Sequence, residues 1–256
     1  LPERFAAAAR DGFKGVELLS PYSWPAAELK RLLAASDLQL VLINTPPGGT
    51  DAASIEAAWA SPRKGTACVS GQEAEFRAGF ALALDYARAL DCPRVHAMAG
   101  VLPEGVEREA LQPTYLANLR HAAAEAAKVG IDVLIEPINT RDIPRYFLNR
   151  QDHAHDIIGQ VGAVNLKVQM DIYHCQVVEG DLAMKLRQYL PGGRVGHLQI
   201  AGAPGRHEPD VGEINYPHLF ALLDELGYSG WIGCEYKPAR GAVANATSAG
   251  LGWRQR

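Results

Sequence analysis

Hydrophobic and polar positions alternate strictly in two stretches of the chain. Leu166, Val168 and Met170 are apolar while Lys167, Gln169 and Asp171 between them are polar. His197 and Gln199 stand in the same way against Leu198 and Ile200. A period of two marks a β-strand. Elsewhere one phrase recurs: an Ala/Leu-rich helical pattern, a Gly or Asp turn, then a short β-branched run. It is seen at Ala6–Ala9 leading to Val16-Glu17-Leu18-Leu19 and at Tyr86–Leu90 leading to Arg94–Met98. Two further copies are Ala122–Lys128 leading to Ile131–Ile135, and Leu222–Leu226 leading to Trp231–Cys234. Helix and strand in alternation imply parallel βα units, whose outward strand faces meet helices and must be apolar. The polar parity of such a strand therefore points into a barrel.

Seven strands are predicted, at about 15–19, 38–44, 94–99, 132–137, 165–172, 195–201 and 230–236. A closed barrel needs eight. Because the chain opens in a helix, the expectation is a (β/α)8 TIM barrel whose first strand belongs before Leu1 and is missing from this sequence; an open parallel sheet is the alternative. The whole of 1–256 reads as one domain. Residues about 45–77, rich in Pro, Gly, Ala and Ser, read as a long loop or lid after a strand, overhanging the barrel mouth.

Composition narrows the function. The 256 residues carry 48% hydrophobic and 21% charged side chains with a formal net charge of −4, which suits a soluble protein with a full core. No Lys/Arg run builds a positive face, so a nucleic-acid partner is not expected. No apolar stretch approaches the ~18 residues of a membrane span. Leu1-Pro2-Glu3-Arg4 does not read as a signal peptide, and Cys68, Cys92, Cys175 and Cys234 are scattered; reduced thiols in a cytoplasmic protein are the expectation.

Four strand ends carry the chemistry. Glu136, Asp171, Gln199 and Glu235 close successive strand-like segments, and the C-terminal mouth is where barrels of this kind place their sites. Two Glu, one Asp and one Gln form an all-oxygen set that suits Mg²⁺ or Mn²⁺, whereas zinc would be expected to draw on more His or Cys. Free positions on such an ion would let a substrate chelate, polarising a carbonyl and stabilising an enediolate. A carboxylate on each side could then move a proton between adjacent carbons. Lys167 and Gln169 read as internal hydrogen-bonding groups, with Lys167 also able to orient a ligand carboxylate. His174 is a candidate donor to a substrate oxygen or a capping histidine. Arg206, in a Gly/Pro-rich loop after Gln199, is a candidate clamp for a substrate carboxylate or a surface arginine. Asp142 either binds a hydroxyl or pairs locally; Tyr22 and Trp24 form an apolar wall or simply cover the barrel top.

Ile135-Glu136-Pro137-Ile138-Asn139, Gln169-Met170-Asp171-Ile172-Tyr173-His174, Gly196-His197-Leu198-Gln199-Ile200-Ala201, Gly212-Glu213-Ile214-Asn215-Tyr216 and Gly230–Tyr236 resemble the hydroxypyruvate isomerase family of xylose isomerase-like barrels. The similarity runs through nearly the whole chain, including Gly15-Val16-Glu17 and Gly71–Arg77. The resemblance implies that Glu136, Asp171, Gln199 and Glu235 bind the metal and that Glu136 and Glu235 are proton donor and acceptor. It implies interconversion of hydroxypyruvate and tartronate semialdehyde, with Arg206 or His174 holding the carboxylate. A close subgroup looks like 2-oxo-tetronate isomerases. In the related ketose 3-epimerases the third ligand is a His, and Gln199 favours the isomerase side. Thr50–Ala60 looks longer than the family's usual loop. A phosphodiesterase on the same barrel would need many histidines and a basic surface, and a purely binding protein would not need both glutamates. The partners expected are a short sugar acid and, possible in this superfamily, a second copy of the chain.

Overall fold

The computed structural model describes residues 2–239 and 246–255. Seven parallel strands form one sheet in chain order: β1 (Gly15–Leu18), β2 (Gln39–Asn44), β3 (Arg94–His96), β4 (Asp132–Ile135), β5 (Leu166–Asp171), β6 (Val195–Ile200) and β7 (Ile232–Cys234). Helices α1 (Pro2–Arg10), α2 (Ala26–Ala35), α3 (Ala52–Ala60), α4 (Glu73–Ala89), α5 (Arg108–Ala127), α6 (Gln151–Val161), α7 (Ile172–Val178), α8 (Leu182–Tyr189), α9 (Tyr216–Glu225) and α10 (Ala246–Ala249) lie before, between and after them. This is a nearly closed TIM barrel. β1 and β7 share no backbone ladder; a groove of about 350 Å³ runs between them, lined in part by Gly15, Val16, Trp231 and Gly233.

Outward strand residues build the core against the helices. Val133 and Ile135, Val168 and Met170, and Leu198 and Ile200 are all within 3% of complete burial and join one apolar cluster with α4, α5 and α6. Inward residues tell the opposite story. Lys167, the second residue of β5, pairs with Asp132 at the start of β4, Nζ to Oδ2 2.7 Å. It therefore serves the lower end of the barrel and does not orient a group at the mouth. Leu134 plugs the level above, with Trp231 packed beside it. Higher still, Gln169 stands opposite His197 and Asp171 opposite Gln199, after a register shift between Val168 and Gln169.

Residues 45–77 are more ordered than a bare loop. Asp51 and Ser54 form a reciprocal capping box that starts α3, satisfying donors an N-terminus would otherwise leave open. Gly65 then lies directly on the chain beyond β3: its φ is +120°, and a Cβ there would stand 2.2 Å from the Met98 carbonyl oxygen. Cys68 N–H donates to Ala99 O at 2.8 Å, and Asn118 Nδ2 donates to Ala67 O at 2.9 Å. Arg63 bonds Gln72 and Glu75, and Glu75 accepts from Gly49 N–H. The segment is stapled at both ends. Tyr22, expected either to wall the mouth or to cover the barrel top, is buried and meets Tyr86 of α4 edge to face at 5.2 Å. Among the described residues no helix is long and apolar enough to cross a membrane.

Candidate active site

Strand geometry brings the carboxylates together. Glu136 follows β4, Asp171 ends β5 and Glu235 follows β7. Asp171 has a second task that fixes it: its Oδ1 caps α7, accepting from Tyr173 N–H at 2.7 Å and His174 N–H at 3.3 Å. The other oxygen, Oδ2, is buried and has no hydrogen-bond partner among the described residues, and the same holds for Oε1 of Glu136. Buried orphan acceptors are costly. Two of them side by side are what a hard cation would satisfy.

Glu136, Asp171 and His174 offer ligand atoms that all lie within 4.8 Å of one another. The histidine is set by its neighbour. Asn139 Oδ1 accepts from Asp142 N–H at 2.7 Å, so its amide nitrogen faces His174 Nδ1 at 2.6 Å. Nδ1 thus accepts, and the proton of the neutral ring sits on Nε2. Burial lowers the pKa of this imidazole. Nε2 lies 3.8 Å from Glu136 Oε1 and 3.7 Å from Asp171 Oδ2. In this tautomer it is a donor aimed between two carboxylates, not a metal ligand.

Gln199 is buried and held from two sides. Its Oε1 accepts from Gln169 Nε2 at 2.6 Å, and its Nε2 donates to Glu17 Oε2 at 2.8 Å. Glu17 also meets His197 Nε2. It reaches these β6 residues by passing over Gly233 of β7, where a Cβ would stand 2.0 Å from its Oε1.

Arg206 crosses the mouth. Its Nη2 is 3.1 Å from Glu235 Oε1 and 3.7 Å from Asp171 Oδ2, and its Nη1 is 3.4 Å from Asp142 Oδ2. Asp142 also accepts from the Tyr173 hydroxyl at 3.0 Å. The Arg206 backbone lies in the left-handed region at φ 55°, a conformation that costs a non-glycine residue ~1–2 kcal/mol. Lys237 N–H bonding to its carbonyl at 2.8 Å holds it there.

Desolvation dominates the electrostatics. Burial, then Glu235 and Asp171, push the Glu136 carboxyl well above the ordinary range. Burial also pushes Glu235 up to about 8, against the pull of Arg206. His96 faces Glu136 with Nδ1 3.5 Å from Oε2, and burial brings its pKa down to about 3. Glu136, Glu235, His174, Arg206, His96, Trp59 and Lys64 all line one cavity of about 190 Å³. Asp171 and Gln199 lie below that lining.

The seven residues expected to bind metal or substrate (Glu136, Asp142, Asp171, His174, Gln199, Arg206 and Glu235) therefore gather at the C-terminal end of the sheet, while Lys167 lies at the other end. Glu17, His96, Trp59 and Lys64 were not singled out. The first two end inward parities, Gly15-Val16-Glu17 and Arg94-Val95-His96, and the rule that found Asp171 would have found them.

The xylose isomerase-like TIM barrel family matches residues 5–255. The chain belongs to that family. It is 54% identical over 251 residues to a 2-oxo-tetronate isomerase of Cupriavidus necator, covering 98% of this chain and 90% of the relative. It is 44% identical over 250 residues to the hydroxypyruvate isomerase of Escherichia coli K12, covering 98% and 91%. Among solved structures, one described as an AP endonuclease, family 2, from Brucella melitensis superposes with a TM-score of 0.89 at 44% identity, covering 99% of this chain and 92% of that one. A D-psicose 3-epimerase from Clostridium cellulolyticum H10 shares the fold, with a TM-score of 0.76 at 19% identity over 97% and 83% of the two chains.

Proposed function

We propose that this protein isomerises a short 2-oxo sugar acid, hydroxypyruvate to 2-hydroxy-3-oxopropanoate (tartronate semialdehyde), by moving one proton between neighbouring carbons. The observation that carries this reading is that Glu136 and Glu235, from the ends of two different strands, line one cavity; burial raises both carboxyls in the metal-free protein. A two-carboxylate proton shuttle needs one ionised and one protonated partner, and strong coupling between two buried acids favours that state. The ionised carboxylate removes a proton from C3, giving an enediolate. The protonated one delivers a proton to C2, while the hydroxyl proton passes from the C3 oxygen to the C2 oxygen. His174 Nε2–H donates to whichever substrate oxygen carries negative charge. Arg206 and Asp142 hold Glu235 and the mouth in place.

The donor set fits a divalent metal, because Glu136 Oε1 and Asp171 Oδ2 are oxygen acceptors without partners. Glu136, Asp171, Gln199 and Glu235 would hold Mg²⁺ or Mn²⁺, which when bound supplies a Lewis acid to polarise the substrate carbonyl. A second substrate, 2-oxo-tetronate, is favoured by the 54% identity to an enzyme of that name, and it needs the same proton shift from C3 to C2 on a chain one carbon longer. The four cysteines are free, which suits a reducing cytoplasmic setting.

The test is NMR in D₂O with metal-supplemented protein and each acid. Turnover with deuterium at the acceptor carbon, abolished in Glu136→Gln and Glu235→Gln, is the expected result. No turnover of either acid by a folded, metal-binding protein would sink the reading.

A further inference from the structure

We propose that Lys64 and Trp59, both on the segment between β2 and α4, form the subsite for the carboxylate of the substrate; this rests on the sugar-acid reading above. Arg206 is poorly placed for that task. Three protein carboxylates already surround its guanidinium, at 3.1, 3.4 and 3.7 Å, so its charge is spent on the protein. An incoming carboxylate there would also stand against Glu235, Asp142 and Asp171.

Lys64 is different. It lines the same cavity, and among the described residues no carboxylate lies within 4.0 Å of its ammonium. Its hydrogen-bond partners are neutral, the carbonyls of Trp59 and Ser61, each at 3.2 Å. Trp59 lines the cavity beside it, with Nζ of Lys64 5.9 Å from the indole ring. The indole N–H is buried, and among the described residues no group accepts from it. A cation without a counter-anion and a buried donor without an acceptor, on two neighbouring residues of one cavity lining, are complementary to a carboxylate with two oxygens.

The placement is rigid. Gly65, the next residue, is wedged against Met98, and Arg63, the previous one, is tied to Gln72 and Glu75. Seated on Lys64 and Trp59, the substrate carboxylate would be kept apart from Glu136 and Glu235, leaving C2 and C3 to face them. The carboxylate end, not the hydroxyl end, is then what the enzyme reads to choose acids over neutral ketoses.

The experiment compares wild type, Lys64→Met, Lys64→Arg and Trp59→Phe, with metal present. Kinetics use hydroxypyruvate, 2-oxo-tetronate and dihydroxyacetone, the last being hydroxypyruvate with a neutral CH₂OH in place of the carboxylate. Calorimetry measures binding of D-glycerate and of glycerol. In Lys64→Met, KM for the turned-over acid and Kd for glycerate are expected to rise ~10- to 100-fold, the range for losing one charge-assisted hydrogen bond. Dihydroxyacetone kinetics should be unchanged, Lys64→Arg should recover much of the loss, and Trp59→Phe should show a smaller loss of the same kind. Equal loss for charged and neutral compounds would mark Lys64 as a mere cap of α3 and overturn the proposal. So would acid kinetics and glycerate binding that ignore the substitution. If wild type turns over neither acid yet binds glycerate through Lys64, the subsite stands and the isomerase reading falls. Without turnover or glycerate binding, both fall.

Discussion

Arg206 places Nη2 3.1 Å from Oε1 of Glu235, so the base or acid of the proposed proton shift is held by a cation that is itself held by Asp142. Arg206 draws the Glu235 pKa down against the effect of burial. Removing it as Arg206→Met should move the Glu235 carboxyl further up. The limb of the pH–kcat/KM profile that reports Glu235 ionisation is expected to shift to higher pH. Activity at pH 7 should fall ~10- to 100-fold, with partial recovery in Arg206→Lys.

Glu136→Gln and Glu235→Gln remove one end of the shuttle each. Each is expected to lower kcat by ~10²- to 10⁴-fold. The double variant should be little worse than either single one, because residues acting as a unit are not additive. Steady-state kinetics on all three proteins check this, and additive losses would argue for two independent roles.

Stability should respond to pH in two directions. His96 and His155 are buried bases whose pKa values fall to about 3 and about 4. The unfolded chain binds their protons first as pH drops below about 6.5. Their contribution is thus complete above that pH and lost as pH falls toward 4 and 3, at up to about 1.4 kcal/mol per unit for each. Glu235 in the metal-free protein has the opposite sign. With its carboxyl raised to about 8, it adds most stability below its ordinary pKa near 4.5 and loses it as pH rises through 8. Thermal melts from pH 3 to 9 should show both limbs. Saturating Mg²⁺ or Mn²⁺ should move the alkaline one to lower pH, since a nearby cation favours the ionised carboxylate.

Tyr115 and Tyr146 are both buried, but only one hydroxyl is used. Tyr115 Oη has no partner, so Tyr115→Phe is expected to be neutral or to stabilise by up to ~1 kcal/mol. Tyr146 Oη accepts from Ala99 N–H at 3.0 Å, and Tyr146→Phe should cost ~1–2 kcal/mol by stranding that donor. Urea unfolding of the two variants distinguishes them.

Much of this was legible in the chain. The two-residue period that put Leu166, Val168 and Met170 outside put Asp171 inside, and the same parity placed Gln199. Strand ends were less exact. β3 stops at His96 where 94–99 was predicted, because Met98 turns away to meet Thr45 and Gly65. The reading of 45–77 as loop missed α3, a short Ala-rich helix whose only local signal is the Asp51–Ser54 cap. Trp59 and Lys64 could not be found by periodicity at all. What brings them to the mouth is the close packing of Gly65 on Met98, a long-range contact with no sequence signature.

The passage of Glu17 over Gly233 has one more consequence. Where β1 faces β7, no ladder of amides shuts the wall; in its place one carboxylate, clasping His197 and Gln199 from across the groove, ties β1 to β6. That clasp also sets which way the Gln199 amide turns. Breathing of the barrel wall and the chemistry at its rim are therefore linked through a single side chain. A methyl group introduced at position 233 would displace the Glu17 carboxylate and so release His197 and the Gln199 amide together.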